Sequence, residues 1–232
     1  MTLPRSVFKF VDRGFSKTLL LVPGWAADHR VFAELDLEFN YLLPVKCIAG
    51  DFVKECVAAM DGAKIDKVSV CGWSLGGFLA CDLFKAFPRR IKELILVGMR
   101  DKYEVRQLSE VRAYLDKSRS GYLYKFYAEC FSENEKDLLS WFKASLIKSY
   151  LREMDHGILL EGLDYLEHAR LDTESLSEAK VRFIHGSGDR IAPVEALARV
   201  LDRLPAATFT LIEGAGHMPF LRAGFREALS GR

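Results

Sequence analysis

Short apolar runs that end at glycine recur along the chain, and most of them lead into a stretch with helical periodicity. Continuous runs rich in valine, isoleucine and leucine are typical of strands buried on both faces, as in parallel sheets. Such strands alternating with amphipathic helices predict an α/β fold, with a mostly parallel sheet flanked by helices. The predicted strands are Thr18–Val22, Val45–Ile48, Val68–Cys71, Leu94–Val97, Val181–Ile184 and Thr208–Ile212, with the alternating segment Val7–Val11 as an edge strand.

One region departs from this alternation. From about Asp101 to Glu178 helical periodicity continues without a strand pattern. Within it, Ser132-Glu-Asn-Glu135 has the form of a capping box that would begin a helix running to about Lys148. We therefore expect residues 101–178 to form a helical cap, inserted between residues 1–100 and 179–232 of one core.

Composition and charge exclude several classes of protein. The formal net charge of +1 provides no overall field for nucleic acid or an anionic membrane. No apolar run approaches the roughly 18–20 residues of a membrane span, and the first residues do not resemble a signal peptide. The five cysteines form no C-x-x-C pair, which favours free thiols in a reducing compartment. We expect a monomeric cytoplasmic protein without a metal or cofactor.

The segment Gly72-Trp73-Ser74-Leu75-Gly76 has the pattern G-x-S-x-G and lies between a predicted strand and a predicted helix. A serine on such a turn has strained backbone angles, and the chain two residues to either side passes very close to it. Glycine at both flanking positions removes the side chains that would clash there. The pattern indicates Ser74 as a nucleophile, although a tight turn without a chemical role could also produce it.

A serine nucleophile needs a base, and the base needs an orienting acid. Asp189 and His217 lie in glycine-rich loops after two later predicted strands, and catalytic groups gather at this edge of α/β sheets. The order serine, aspartate, histidine fits a nucleophile elbow. Asp101, which follows Leu94–Val97, is an alternative acid. The other histidines are expected to be structural: His29, His156, His168 and His185.

With these motifs the chain resembles the α/β-hydrolase family over nearly its whole core. The resemblance implies a triad of Ser74, Asp189 and His217, with an oxyanion hole formed by the backbone N–H groups of Trp25 and Leu75. A serine nucleophile favours acyl transfer to water. The chain has Pro23-Gly24 where many members of the family have His-Gly, and the implied donor is the backbone N–H of the residue after this glycine, Trp25.

Three segments are similar to the biotin-pathway carboxylesterases, which cleave the methyl ester of pimeloyl-acyl-carrier protein. They are Gly24-Trp25, Gly72–Gly77 and Gly216–Phe220. The resemblance implies an acyl pocket and a substrate carried on acyl carrier protein. The implied pocket residues are Trp25, Ser74, Leu75, Phe126, Tyr127, Ala128, Glu129 and Cys130.

Other interpretations remain open at this point. Phe126 and Tyr127 could simply pack the cap, and other small esterases share the three segments. Carbon–carbon bond hydrolases and a menaquinone-pathway lyase have the same fold, but relatives of that lyase usually carry an arginine where this chain has Phe78. A non-catalytic binding module is a further alternative, although such proteins tend to lose a triad residue.

Basic residues in the cap could recruit an acidic carrier protein. Residues 102 to 125 include six basic residues and three acidic ones. An ordinary solvated helix face would look the same. The basic residues are Lys102, Arg106, Arg112, Lys117, Arg119 and Lys125, and the acidic ones are Glu104, Glu110 and Asp116.

Overall fold

The computed structural model describes residues 6–230 and contains a seven-stranded sheet with the strand order β1-β3-β2-β4-β5-β6-β7. Strand β1 pairs antiparallel with β3, and every other pair is parallel. The predicted mostly parallel α/β architecture is therefore confirmed. The strands are β1 Val7–Val11, β2 Thr18–Val22, β3 Asn40–Lys46, β4 Val68–Trp73, β5 Ile91–Val97, β6 Val181–Gly186 and β7 Thr208–Ile212.

Burial follows the position of each strand in the sheet. All six residues of β4 are buried, as a strand covered on both faces requires. The edge strands β1 and β7 leave Val7 and Leu211 about half exposed, with relative accessibilities of 50% and 43%. The nucleophile candidate Ser74 directly follows β4, so the turn that carries it is attached to a fully buried strand.

Strand β3 begins five residues earlier than the apolar run Val45–Ile48 predicted. Its first residue is Asn40, which pairs with Thr18 of β2 and is buried. The Asn40 side chain accepts hydrogen bonds from the N–H groups of Arg13 and Phe15 and donates one to the Phe15 carbonyl. A polar residue is tolerated in this strand because the loop between β1 and β2 satisfies it.

The helices flank the sheet and also form the segment between β5 and β6. Helix α2 follows β4 directly and packs against β4 and β5. The helices are α1 Phe52–Gly62, α2 Leu75–Ala86, α3 Val105–Glu129, α4 Lys136–Phe142, α5 Lys148–Glu153, α6 His156–His168, α7 Thr173–Leu176, α8 Ala198–Arg203 and α9 Gly224–Ser230. Among residues 6–230, no helix has both the length and the apolar character needed to cross a membrane.

Helices α3 to α7 lie between β5 and β6, and we refer to residues 101–178 as the cap. An isolated antiparallel bridge joins Lys102 to Arg170 at its two ends. The long helix α3 is kinked at Ser118, whose backbone angles are not helical. A π-helical turn, Lys143–Ile147, joins α4 to α5.

The capping-box segment behaves differently from the prediction. The Glu135 carboxylate does accept the Ser132 backbone N–H at 2.9 Å, as a capping box requires. The Ser132 hydroxyl, however, donates to the Gly214 carbonyl outside the cap, and α4 begins only at Lys136. This segment therefore joins the cap to the loop after β7, in addition to preceding a helix.

Candidate active site

Ser74 lies on a tight turn between β4 and α2, with backbone angles φ 54° and ψ −119°. A Cβ atom on Gly72 would lie 2.4 Å from the Gly76 carbonyl oxygen, and one on Gly76 would lie 2.3 Å from the Val22 carbonyl oxygen. Neither position can hold a side chain without moving backbone, which explains the glycines of the motif. The Ser74 N–H donates to the Val97 carbonyl at 2.9 Å and ties the turn to β5.

Asp189 and His217 form a short hydrogen bond, with 2.7 Å between Asp189 Oδ2 and His217 Nδ1. The other carboxylate oxygen of Asp189 accepts the backbone N–H groups of Ile191 at 2.9 Å and Ala192 at 2.8 Å. Burial raises the pKa of Asp189, but the charge and hydrogen bond of His217 and the backbone donors outweigh burial and leave this pKa lowered. Asp189 is therefore an anionic, fixed acceptor for the imidazole.

The His217 ring is held from several sides. The Trp73 indole packs against it, with 5.4 Å between ring centroids, and the indole N–H donates to the His217 carbonyl at 2.7 Å. Gly98 has a positive φ of 57°, and a Cβ atom there would lie 3.1 Å from His217 Nδ1. These contacts orient the imidazole beside the strand that leads to Ser74.

The loop that carries His217 is also bound to the cap. The His217 N–H donates to the Cys130 carbonyl at 2.7 Å, and the Gly216 N–H donates to the Glu135 carboxylate at 2.8 Å. The Ser132 hydroxyl donates to Gly214 at 2.6 Å. The cap thus contributes directly to the position of the histidine.

Ser74 and His217 are not joined by a hydrogen bond in this structure. His217 Nε2 is buried without a hydrogen-bond partner among the described residues, and Ser74 Oγ lies 3.3 Å from the Tyr103 hydroxyl. Nucleophile–base hydrogen bonds are often long or absent before substrate binds. The free Nε2 atom remains available to accept the Ser74 proton.

Two backbone N–H groups are candidates for an oxyanion hole. Leu75 is the first residue of α2, and the N–H groups of a first helical turn have no acceptor within the helix. Trp25 follows Gly24, where a Cβ atom would lie only 3.2 Å from the Ser74 Cβ atom. Both groups therefore belong to backbone that borders the nucleophile.

A cavity of about 290 Å³ opens beside Ser74, and an aromatic wall runs along it. Trp25 packs edge-on against Phe126 at 5.1 Å, Phe126 stacks on Tyr122 at 6.4 Å, and Tyr122 stacks on Tyr114 at 5.9 Å. Tyr114 is 57% exposed, so the wall leads from the nucleophile to the surface. The kink in α3 separates Tyr114 from Tyr122 along the helix.

The structure brings only part of the predicted pocket to this cavity. Phe126 and Glu129 line it, three residues apart on one face of α3. Tyr127 points the other way and donates to the Ala26 carbonyl at 2.7 Å, and Cys130 is fully buried. Ala128 does not line the cavity either.

Trp25 and Leu75 also border a second, smaller cavity of about 50 Å³, between the loop after β2 and α6. The Trp25 indole N–H donates to the Leu159 carbonyl of α6 at 2.9 Å. Helix α6 therefore fixes the indole that begins the aromatic wall. Leu75 lines this smaller cavity and does not line the 290 Å³ cavity beside Ser74.

The other sequence candidates have structural contacts. Asp101 uses its backbone, donating its N–H to Ala196 and accepting from Leu171 at the base of the cap. His185 is fully buried and its Nε2 lies 2.6 Å from the Ala192 carbonyl, while burial lowers its pKa. A neutral imidazole at this place supports the loop that carries Asp189.

Residues that the sequence analysis did not select also line the cavity. Arg100 and Tyr103 follow β5, and Arg190 follows Asp189. The carboxyl end of β5 lies beside those of β4 and β6, because the three strands are parallel. The rule that site residues follow the carboxyl ends of strands could therefore have identified Tyr103. Tyr103 lies within the segment that was expected to be the cap, six residues after the end of β5, so the strand-end pattern did not single it out.

Comparisons with known proteins concern the family and the fold of this chain. A family model described as alpha/beta hydrolase family matches residues 19–227. A pimeloyl-acyl-carrier-protein methyl ester esterase of Aromatoleum aromaticum is 26% identical over 67% of this chain and 69% of its own length. A protein of the same name from Nitrosomonas europaea is 29% identical over 67% of this chain and 66% of its own length.

Solved structures show the same fold. An esterase from Exiguobacterium antarcticum superimposes with a TM-score of 0.81, covering 97% of this chain and 95% of the esterase at 18% sequence identity. At this identity the likeness concerns the arrangement of strands and helices. It includes the cap as well as the core, because nearly the whole of both chains is matched.

Proposed function

The chain belongs to the alpha/beta hydrolase family, and we propose that its carboxylic ester hydrolase activity depends on a catalytic triad of Ser74, His217 and Asp189. The observation that carries this proposal is the 2.7 Å Asp189–His217 hydrogen bond at the sheet edge where Ser74 lies on its strained turn. A histidine with one nitrogen bound to a carboxylate and the other free is arranged as a general base.

The mechanism follows from these atoms. His217 Nε2 takes the Ser74 proton as the seryl oxygen attacks the ester carbonyl, and the Asp189 carboxylate stabilises the imidazolium that forms. The N–H groups of Trp25 and Leu75 would donate to the oxyanion of the tetrahedral intermediate. His217 then gives its proton to the leaving alcohol, and water hydrolyses the acyl-enzyme through the same base.

For the substrate, we propose pimeloyl-acyl-carrier-protein methyl ester, the ester named in both relatives described above. The cavity supports this assignment because its aromatic wall offers a long apolar surface to a flexible aliphatic chain. The exposed end at Tyr114 would let such a chain continue outward to a carrier. Biotin biosynthesis would then be the pathway.

One experiment tests the nucleophile and a second tests the substrate. A fluorophosphonate probe should label the protein once per chain, and Ser74→Ala should abolish labelling, because only an activated serine reacts with the probe. Labelling that persists in Ser74→Ala would place the nucleophile elsewhere.

The substrate is tested by growth. The wild-type gene should restore growth without biotin to a bacterial strain that lacks its methyl ester esterase, and Ser74→Ala should not. If the wild-type protein reacts with the probe but does not support growth, the triad stands and the substrate is a different ester.

A further inference from the structure

The seryl oxygen of the candidate triad has a partner outside the triad. Ser74 Oγ lies 3.3 Å from the hydroxyl of Tyr103, which lines the same cavity, and His217 Nε2 has no hydrogen-bond partner within residues 6–230. The side chain that contacts the seryl oxygen is therefore a tyrosine of the segment between β5 and the cap helix α3. The triad mechanism assigns no role to it.

Tyr103 is held in place by its neighbours. The Arg100 guanidinium lies over the tyrosine ring, 4.8 Å from its centroid, and Phe78 of α2 packs against the ring at 6.3 Å. A cation over an aromatic face is attracted to it. The guanidinium also donates a hydrogen bond to the Ile191 carbonyl at 3.4 Å, so both contacts position this cation beside the tyrosine.

Either hydroxyl group of this contact can be the donor. Burial raises the pKa of Tyr103, which keeps the phenol protonated at neutral pH. A serine hydroxyl can accept one hydrogen bond while it donates its own proton to another group. The phenol can therefore donate to Ser74 Oγ and leave the Ser74 proton for His217 Nε2.

We propose that Tyr103 is a fourth catalytic residue, whose hydroxyl donates a hydrogen bond to the Ser74 oxygen and stabilises negative charge on it. The proposal rests on the proposed function of Ser74 as nucleophile. It adds a donor on the seryl oxygen, which is a different atom from the carbonyl oxygen that the oxyanion hole would bind.

The effect is largest when the acyl-enzyme breaks down. Water adds to the acyl carbonyl as His217 takes one of its protons, and the bond from the carbonyl carbon to Ser74 Oγ then breaks. The electron pair of that bond goes to Oγ, which takes the proton back from His217, while Tyr103 keeps its own proton throughout. A hydrogen bond that strengthens as charge develops on the leaving oxygen accelerates this step.

During acylation the same hydrogen bond has opposing effects. It stabilises the alkoxide character of Ser74 but also makes the oxygen a weaker nucleophile. The proposal therefore predicts a larger effect on deacylation than on acylation. A residue that only supported the fold would not separate the two steps.

The test uses Tyr103→Phe, which removes the hydroxyl and keeps the ring between Arg100 and Phe78. Stopped-flow hydrolysis of a p-nitrophenyl ester gives the acylation rate from the initial burst and the deacylation rate from the steady state. Deacylation should fall roughly tenfold, as expected for loss of a hydrogen bond to a charged oxygen, and the burst rate should change less. Tyr124→Phe, the same change on an exposed cap tyrosine, should leave both rates unchanged.

Two results would overturn the proposal: unchanged rates in Tyr103→Phe, or an equal loss in both steps. Replacing Tyr103 by 3-fluorotyrosine provides a second test that keeps the ring and its hydroxyl. The more acidic phenol should speed deacylation, and an unaltered rate would count against the role. A wild-type protein that shows no burst and no fluorophosphonate labelling would instead contradict the proposed function itself.

Discussion

At the scale of single residues, backbone strain coincides with the candidate site. Three non-glycine residues among those described have positive φ, and two of them border the cavities near the nucleophile. Ser74 has φ 54° and Ala26 has φ 58°, and each such conformation costs on the order of 1–3 kcal/mol. Packing of the neighbouring strands must compensate for this cost, which ties the geometry of the site to the stability of the sheet.

The identity of the acid is a prediction at this scale. Asp189→Asn keeps the shape of the side chain but removes the charge that orients and stabilises the His217 imidazole. We expect kcat to fall by roughly three to four orders of magnitude. Asp101→Asn should retain activity within about threefold, because the backbone of Asp101 makes its contacts. Steady-state kinetics on one ester measures both, and a reversed ranking would move the acid to Asp101.

The sequence predicted the positions at strand ends better than the positions on the cap. Ser74, Asp189 and His217 follow strands, so the topology of a parallel sheet brings them to one edge whatever the details of packing. Pocket residues on α3 depend on the rotation of that helix, which a run of consecutive residues does not reveal. Phe126 and Glu129 line the cavity, whereas Tyr127 and Cys130 point away from it.

At the scale of elements, helix α6 closes directly on the indole of Trp25. A Cβ atom on Gly162 would lie 2.8 Å from Trp25 Cδ1, so only glycine allows this approach. Leu159, one turn earlier, accepts the indole N–H. The position of the cap helix therefore decides the position of the first ring of the aromatic wall.

Gly162→Ala tests this contact. The added methyl group should displace the indole and, with it, the backbone that carries the Trp25 N–H. We expect kcat/KM for esters to fall about tenfold or more, with a loss of stability of roughly 1–3 kcal/mol from overpacking. Gly62→Ala is the matched control, because a Cβ atom there meets nothing within 4 Å. Equal kinetics in the two variants would mean that helix α6 moves to accommodate the added methyl group, and that its contact does not decide the position of Trp25.

Elements were predictable where an apolar run coincides with a strand, as in β2 and β7. Strand β3 was predicted only in part: it begins five residues before Val45, and the polar groups of its first residue, Asn40, are satisfied by a loop 25 residues away in sequence. Long-range hydrogen bonds of this kind leave no local signal. The kink at Ser118 was likewise not predicted from the sequence.

At the scale of the whole molecule, the basic residues of the cap are mostly paired with its own acids. Arg112 pairs with Asp164 and Glu167, and Arg106 pairs with Glu110. The positive charge of the predicted basic cluster is therefore weaker than the number of its basic residues suggests.

The monomeric state and the cytoplasmic location remain predictions.

Arg119 is unsuited to a test of carrier recruitment. It donates to the carbonyl groups of Leu151 and Met154, so its replacement would disturb the cap itself. Lys125 is the better choice, because it lies at the cavity, is 72% exposed at its side chain and makes only a 3.6 Å pair with Glu129. Exposed pairs of this kind contribute little to stability.

Lys125→Glu should lower kcat/KM for a carrier-linked methyl ester by roughly three- to tenfold at low salt, and less at high salt, because acyl carrier proteins are acidic. The loss should exceed that for a small p-nitrophenyl ester. Lys67→Glu serves as the control. It reverses an exposed charge just before β4, at the amino ends of the parallel strands and therefore away from the candidate site. Equal losses on both esters would remove the argument for a carrier.

The hydrogen bonds from the His217 loop to the cap have a consequence for dynamics. The amide hydrogens of Gly216 and His217 are bound to Glu135 and Cys130, so they can exchange with deuterium only when the loop separates from the cap. Protection of these two amides therefore measures the free energy of a local opening, below that of global unfolding. While such an opening lasts, the His217 loop would be held by its core contacts with Asp189 and Trp73 but no longer by the cap.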